Sequence, residues 1–144
     1  MQTLTSHFTL EELTRSATAD RLGICNEPCI DAISNLQNLC QEVLEPLRQY
    51  LDRPVIINSG YRCTQLNSIV GGAPSSQHIR GEAADIHISS HDEGQEMIRF
   101  ITASCIFDQL ILERSANGAQ WLHVSCRRRG TNRRLVISTS ACGG

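Results

Sequence analysis

The sequence predicts an α+β fold in which an antiparallel sheet packs against one long core helix. Apolar residues recur at helical spacing through the first third of the chain, from Pro28 to Leu51. Apolar-polar alternation is concentrated in the second half, in "AADIHIS", "FDQLILE" and "QWLHVSC". Helices first and strands later is the order of an α+β domain rather than of alternating βα units. At 144 residues the chain is read as one domain, residues 1–144, with core enough to need no crosslinks. Aromatic residues make up only 4%, so that core must be mainly aliphatic.

The elements follow in order. Thr9 and Glu12 form a capping box, with Phe8 placed to staple onto the first turn, which predicts a helix running to about Ala19. Gly23 restarts the chain. Ile30, Ile33, Leu36, Leu39, Val43, Leu44, Leu47 and Leu51 then define the main core helix, with Pro28 suited to its first turn and Pro46 placed to bend it near its end. "PVIIN" reads as a short buried strand and "SGYR" as a sharp exit from it. "CTQLNSIV" reads as a short helix stopped by Gly71 and Gly72, and "GGAPSSQH" as an irregular loop. "AADIHIS" is a strand, "DEGQEMIRFITAS" an amphipathic helix, and "FDQLILE" and "QWLHVSC" two strands joined through "RSANGA". "RRLVIS" adds a last strand.

Composition narrows the function classes. A net charge of −2 argues against broad attraction to nucleic acid, although Arg127, Arg128, Arg129, Arg133 and Arg134 make a local basic cluster. That cluster reads first as a solvated turn between strands, with a nucleic-acid face or attraction to an anionic polymer such as cell wall as alternatives. Seven cysteines without a C-x-x-C pair do not form a disulfide framework; Cys25 and Cys29 lack a second pair at finger spacing, so free thiols are expected. No basic region followed by an apolar run opens the chain, and no stretch approaches the ~18 apolar residues of a membrane span. The expectation is a monomer, cytoplasmic at synthesis, without a membrane span.

The stretch "SSQHIRGEAADIHIS" places His78, Glu82, Asp85 and His87 within ten positions around Gly81. A catalytic zinc site needs three His or carboxylate ligands and an open position, and His78, Asp85 and His123 are the candidates. On spacing alone a lone histidine before a turn, such as His78, is more often a surface or capping residue. His87 shares a strand face with Asp85 and is a candidate false ligand or supporting group. His7 and His91 read as surface residues.

Ser76, His78, Gly81, Ala83 and Asp85 fill S-x-H-x-x-G-x-A-x-D at every fixed position. This resembles the signature of the D-Ala-D-Ala carboxypeptidase family of zinc peptidases, which includes vancomycin-resistance dipeptidases and phage endolysins and shares its fold with the Hedgehog signalling domain. "SGYR", "LNSIVGGAPSSQH" and "FDQLILE" followed by "WLHVS" resemble the same family in order, over roughly residues 8–138. The resemblance implies His78, Asp85 and His123 as ligands of a zinc cofactor, and Arg62 reaching the site to hold a peptide carboxylate or an oxyanion. Ser76 either bonds substrate or shapes its loop. A phage or prophage origin with assisted release would bring such a protein to the cell wall.

One position departs from the pattern. Many members carry the catalytic carboxylate in E-x-W-H, and here that position is Gln120, which cannot take a proton from water. Glu113 is the nearest upstream carboxylate. If Leu110, Leu112, Leu122 and Val124 face the core, Glu113 and His123 share the opposite face of paired strands. Facing the two directly requires an odd number of loop residues, which excludes a two-residue Asn117-Gly118 turn and favours a three-residue or bulged loop with Gly118 at positive φ. Asp108 is the next candidate base. The functional expectation is a zinc metallopeptidase acting on peptidoglycan stem peptides next to a D-amino acid, as a D-Ala-D-Ala carboxypeptidase or a murein endopeptidase. The alternative is a silent cell-wall-binding module that keeps fold and metal; a nucleic-acid protein acting through the arginine cluster comes third.

Overall fold

A computed structural model describes residues 2–138. A two-stranded ribbon, β1 (Thr3–Thr5) with β2 (Phe8–Thr9), opens the chain, which sequence patterning did not mark because the strands are so short. Thr9 then caps α1 (Leu10–Thr14) by accepting from the Glu12 backbone N–H at 3.2 Å. The single helix expected up to Ala19 is two: α1 stops before Arg15, and Ser16 caps a separate α2 (Ala17–Leu22) that ends at Gly23 in the left-handed region.

The core helix runs from Ile30 to Leu51 with a change of winding inside it. The α-helical segment α3 (Ile30–Leu39) passes into a π-helical turn, Cys40–Leu44, and returns to α-geometry as α4 (Glu45–Leu51). Pro46 explains the position: its ring collides with the carbonyl four residues back and it has no N–H to donate, and a wider turn just ahead of it relieves both. The apolar stripe survives, since Leu36, Leu39, Val43, Leu44 and Leu47 are all fully buried.

β3 (Ile57–Ser59) is shorter than the apolar run that announced it, and α5 (Thr64–Ile69), a 3₁₀ turn (Gln77–Arg80), β4 (Ala83–His87) and α6 (His91–Ser104) follow. β5 (Gln109–Arg114), β6 (Gln120–Ser125) and β7 (Leu135–Ser138) complete a five-stranded sheet in the order β3-β4-β6-β5-β7. Four strands are mutually antiparallel neighbours, but β7 lies parallel to β5, so the sheet is mixed. The chain leaving β6 must therefore cross the start of β5 to reach its far side.

Asp108 organises that crossing. It is fully buried, and its carboxylate accepts from the Arg133 backbone N–H at 2.9 Å and from the Arg133 side chain at 3.0 and 2.8 Å. These bonds from Arg133 hold the Asp108 carboxyl down at about 2, against the opposing effect of burial. Ile86, Leu110, Leu112, Leu122 and Val124 point to one sheet face, where they meet the core helix, α6 and Phe107. Odd-numbered positions of β5 and β6 are thereby left to the other face.

Candidate metal centre

The face remote from the core carries the chemistry. Asp85 on β4 stands directly opposite His123 on β6, and the hydrogen-bonded register places Ile111 of β5 in the same row. His78 reaches this row from the 3₁₀ turn, which Ser76 caps by accepting from the His78 backbone N–H at 3.2 Å. Gly81 ends that turn at φ 76°, where a Cβ would come within 2.5 Å of the Ala32 carbonyl oxygen, so only glycine lets the chain turn there into β4.

His78 is only 2% exposed and its orientation is fixed from behind. Its Nδ1 lies 2.7 Å from the Gly60 carbonyl oxygen, which can only accept, so Nδ1 carries the hydrogen and Nε2 presents its lone pair. Gly60 has its own constraint: a Cβ there would sit 2.2 Å from the Leu13 carbonyl oxygen, and the neighbouring Tyr61 N–H donates to that oxygen. The tight packing of "SGYR" onto α1 thus aims the histidine.

His78 Nε2 is 3.3 Å from Asp85 Oδ1, and His123 Nδ1 is 3.0 Å from the same oxygen. One ligand atom from each of the three residues lies within 4.8 Å of the others, the only such group of three or more among the described residues. Burial opposes charge on Asp85, but the imidazoles of His123 and His78 beside it outweigh that effect and hold the carboxyl below its ordinary range. A tetrahedral zinc with bonds of about 2.0–2.1 Å needs ligand atoms about 3.3 Å apart. The separations of the two imidazole nitrogens from Asp85 Oδ1 fit that requirement, and the outward His78 lone pair facing an anionic oxygen is the arrangement a cation resolves.

Glu113 also faces this side. It is opposite Trp121, two pairs along from the Ile111–His123 row, and Trp121 Nε1–H donates to Glu113 Oε2 at 2.6 Å. The expected loop parity holds, with Gly118 at φ 92°, but five residues, 115–119, join the strands, so Glu113 is diagonal to His123 rather than directly across from it. The longer loop closes on itself: Gly118 N–H donates to Ser115, Ser115 N–H to Ala119, and the Ser115 hydroxyl to Asn117. Arg62 follows β3 and its backbone N–H donates to the His78 carbonyl. Its buried Nε has no partner among the described residues, and burial lowers its pKa against the pull of Asp85 and Glu113. His78, Asp85, His123, Glu113, Arg62 and Ser76 all line one cavity of about 670 Å³.

A family model described as peptidase M15 matches residues 6–125. The chain belongs to the peptidase M15 family. A zinc D-Ala-D-Ala carboxypeptidase of Streptomyces albus G is 46% identical over 39 residues, which are 27% of this chain and 15% of that protein. The chain thus spans only a small part of that relative's length.

Other sequence candidates resolve differently in this M15 member. Asp108 is committed to Arg133 and the crossover, and does not line the cavity, which removes it as a base. His87 is exposed at the end of β4, opposite Trp121. His7 is at the surface but paired: its Nδ1 lies 2.6 Å from Glu45 Oε2, and bonds from His7 help hold the Glu45 carboxyl down to about 2 although burial opposes its charge. His91 is exposed at the start of α6. The six described cysteines are free; burial pushes Cys40 and Cys126 up to about 12, while Cys25 and Cys29 are exposed. Cys142 lies outside the described residues. Among the described residues, no helix is long and apolar enough to cross a membrane. Sequence reasoning missed the role of Trp121 in holding Glu113, although strand alternation already placed both on one face. It also missed Gly60, whose part depends on contact with a distant helix.

Proposed function

We propose that this protein is a zinc metallopeptidase that hydrolyses peptidoglycan stem peptides next to a D-amino acid. The observation that carries this reading is the convergence of the His78, Asp85 and His123 ligand atoms within 4.8 Å, beside a free-edged carboxylate and a guanidinium with a buried Nε in one cavity. The partial likeness to a zinc D-Ala-D-Ala carboxypeptidase supports the bond chosen.

His78, Asp85 and His123 would hold the zinc, which when bound makes water more acidic and polarises a carbonyl. Glu113 accepts the proton of the attacking water through Oε1 while Trp121 holds Oε2, and then delivers that proton to the leaving nitrogen. Arg62 offers its fork to the substrate carboxylate or to the oxygen that gains charge during attack. Ser76 sets the 3₁₀ turn and keeps its hydroxyl hydrogen for substrate. Action at the cell wall after assisted release completes the proposal.

Gln120, in place of the glutamate of E-x-W-H, favours one second reading: a wall-binding module without turnover. Zinc-loaded protein incubated with synthetic stem peptides ending in D-Ala-D-Ala, and with crosslinked muropeptides, separates them. The peptidase releases a new amine from at least one substrate, and chelation stops it. Binding of these peptides without any new amine would establish the module instead.

A further inference from the structure

The cavity wall opposite Glu113 is built from guanidinium groups that the proposed chemistry does not use. Arg127 and Arg133, from the segment that crosses between β6 and β7, both line it, next to Gln109. Gln109 is two residues before Ile111 on β5, and Glu113 is two residues after it. At about 3.3 Å per residue, the base's position on β5 lies roughly 7 Å to one side of the Asp85–His123 row and Gln109 a similar distance to the other, next in sequence to Asp108, to which both arginines are bound.

Both arginines are fixed in place. Arg133 grips Asp108 through Nε and Nη2, and Arg127 Nε lies 3.4 Å from Asp108 Oδ2. Asn132 ties the segment from inside: its Oδ1 accepts from the Arg127 N–H at 2.8 Å and its Nδ2 donates to the Arg127 carbonyl at 3.1 Å. One fully buried carboxylate thus faces two guanidiniums, which leaves one positive charge uncompensated at the wall. A pre-oriented pair of planar cations with spare N–H donors is a receptor for a planar oxyanion.

We propose that Arg127 and Arg133 form a second anion subsite that selects peptides bearing a carboxylate about two residues from the scissile bond. This rests on the peptidase reading, and goes beyond it by naming a feature of the substrate and the residues that read it. The basic cluster is then divided by role: Arg127 and Arg133 face the cavity, Arg128 donates to Asn35 at 2.9 Å, Arg134 donates to the carbonyls of Cys105 and Thr102, and Arg129 is exposed away from the wall.

The test uses two peptides that differ only in a carboxylate or a carboxamide at that position. Cleavage is followed on zinc-loaded wild-type protein, and binding separately by calorimetry on the Glu113→Gln protein. The carboxylate peptide is expected to be favoured about tenfold in both, equivalent to about 1.4 kcal/mol. Arg127→Gln should bring the ratio to one, and Arg129→Gln, which removes the same charge, should leave it unchanged. Arg127 is the residue to change because Arg133 satisfies buried Asp108 and its loss would disturb the fold. Equal constants for the two peptides, or a preference that survives Arg127→Gln, would overturn the subsite. A carboxylate preference in binding with no cleavage of either peptide would leave the subsite standing and overturn the peptidase reading.

Discussion

Glu113→Gln is expected to lower kcat/KM by about 10²–10⁴-fold, the range for loss of a general acid–base, while zinc content and thermal stability stay at wild-type values. The substitution isolates proton transfer. Glutamine has nearly the shape of glutamate, and its carbonyl oxygen can still accept the 2.6 Å hydrogen bond that Trp121 now gives to Glu113 Oε2. What it cannot do is take a proton from water and return it to an amine. The diagonal placement of Glu113 relative to His123 leaves space for a water between the carboxylate and the row of candidate ligands. A variant hydrolysing stem peptides within a few-fold of wild type would remove Glu113 as the base. Asp108 would not replace it, because its carboxylate is buried under Arg133.

The second large effect is expected at Arg62. Arg62→Lys keeps the charge but replaces a planar fork by a point cation, and activity should fall by about 10²–10³-fold, as for loss of an oxyanion donor. The structural grounds are its buried, unpartnered Nε and its place in the cavity with Asp85 and Glu113. Folding is expected to be unaffected, because the tie between this segment and the site is the backbone bond from Arg62 N–H to His78. Comparing the variants' KM and kcat distinguishes the two uses of the fork: loss in KM alone marks a substrate carboxylate, and loss in kcat marks developing charge. Unchanged constants would return Arg62 to a structural role.

Much of this arrangement was legible in the residues because it depends on period. Leu110, Leu112, Leu122 and Val124 alternate, they are buried, and the opposite face therefore had to receive Glu113, Trp121 and His123. The five fixed positions from Ser76 to Asp85, through the family they resemble, pointed to two of the three candidate ligands, His78 and Asp85, and to the glycine between them. Features that depend on contacts between distant segments were not legible. The break between α1 and α2, the π turn before Pro46 and the parallel placement of β7 have no periodic signature. The two-residue offset of Glu113 came from a loop that closes through Ser115 and Asn117, which parity alone could not size. Asp108 looked like a spare catalytic acid because its partner, Arg133, is 25 residues away in sequence.

The most direct measurement is the zinc content of purified protein, by elemental analysis, for wild type, His78→Ala and His91→Ala. Wild type and His91→Ala should each carry close to one zinc per chain, since His91 is exposed on α6 and outside the ligand group. His78→Ala should carry almost none, because two remaining ligands do not make a zinc site. Equal zinc in His78→Ala and His91→Ala, or none in wild type after loading, would contradict the metal centre and the peptidase with it.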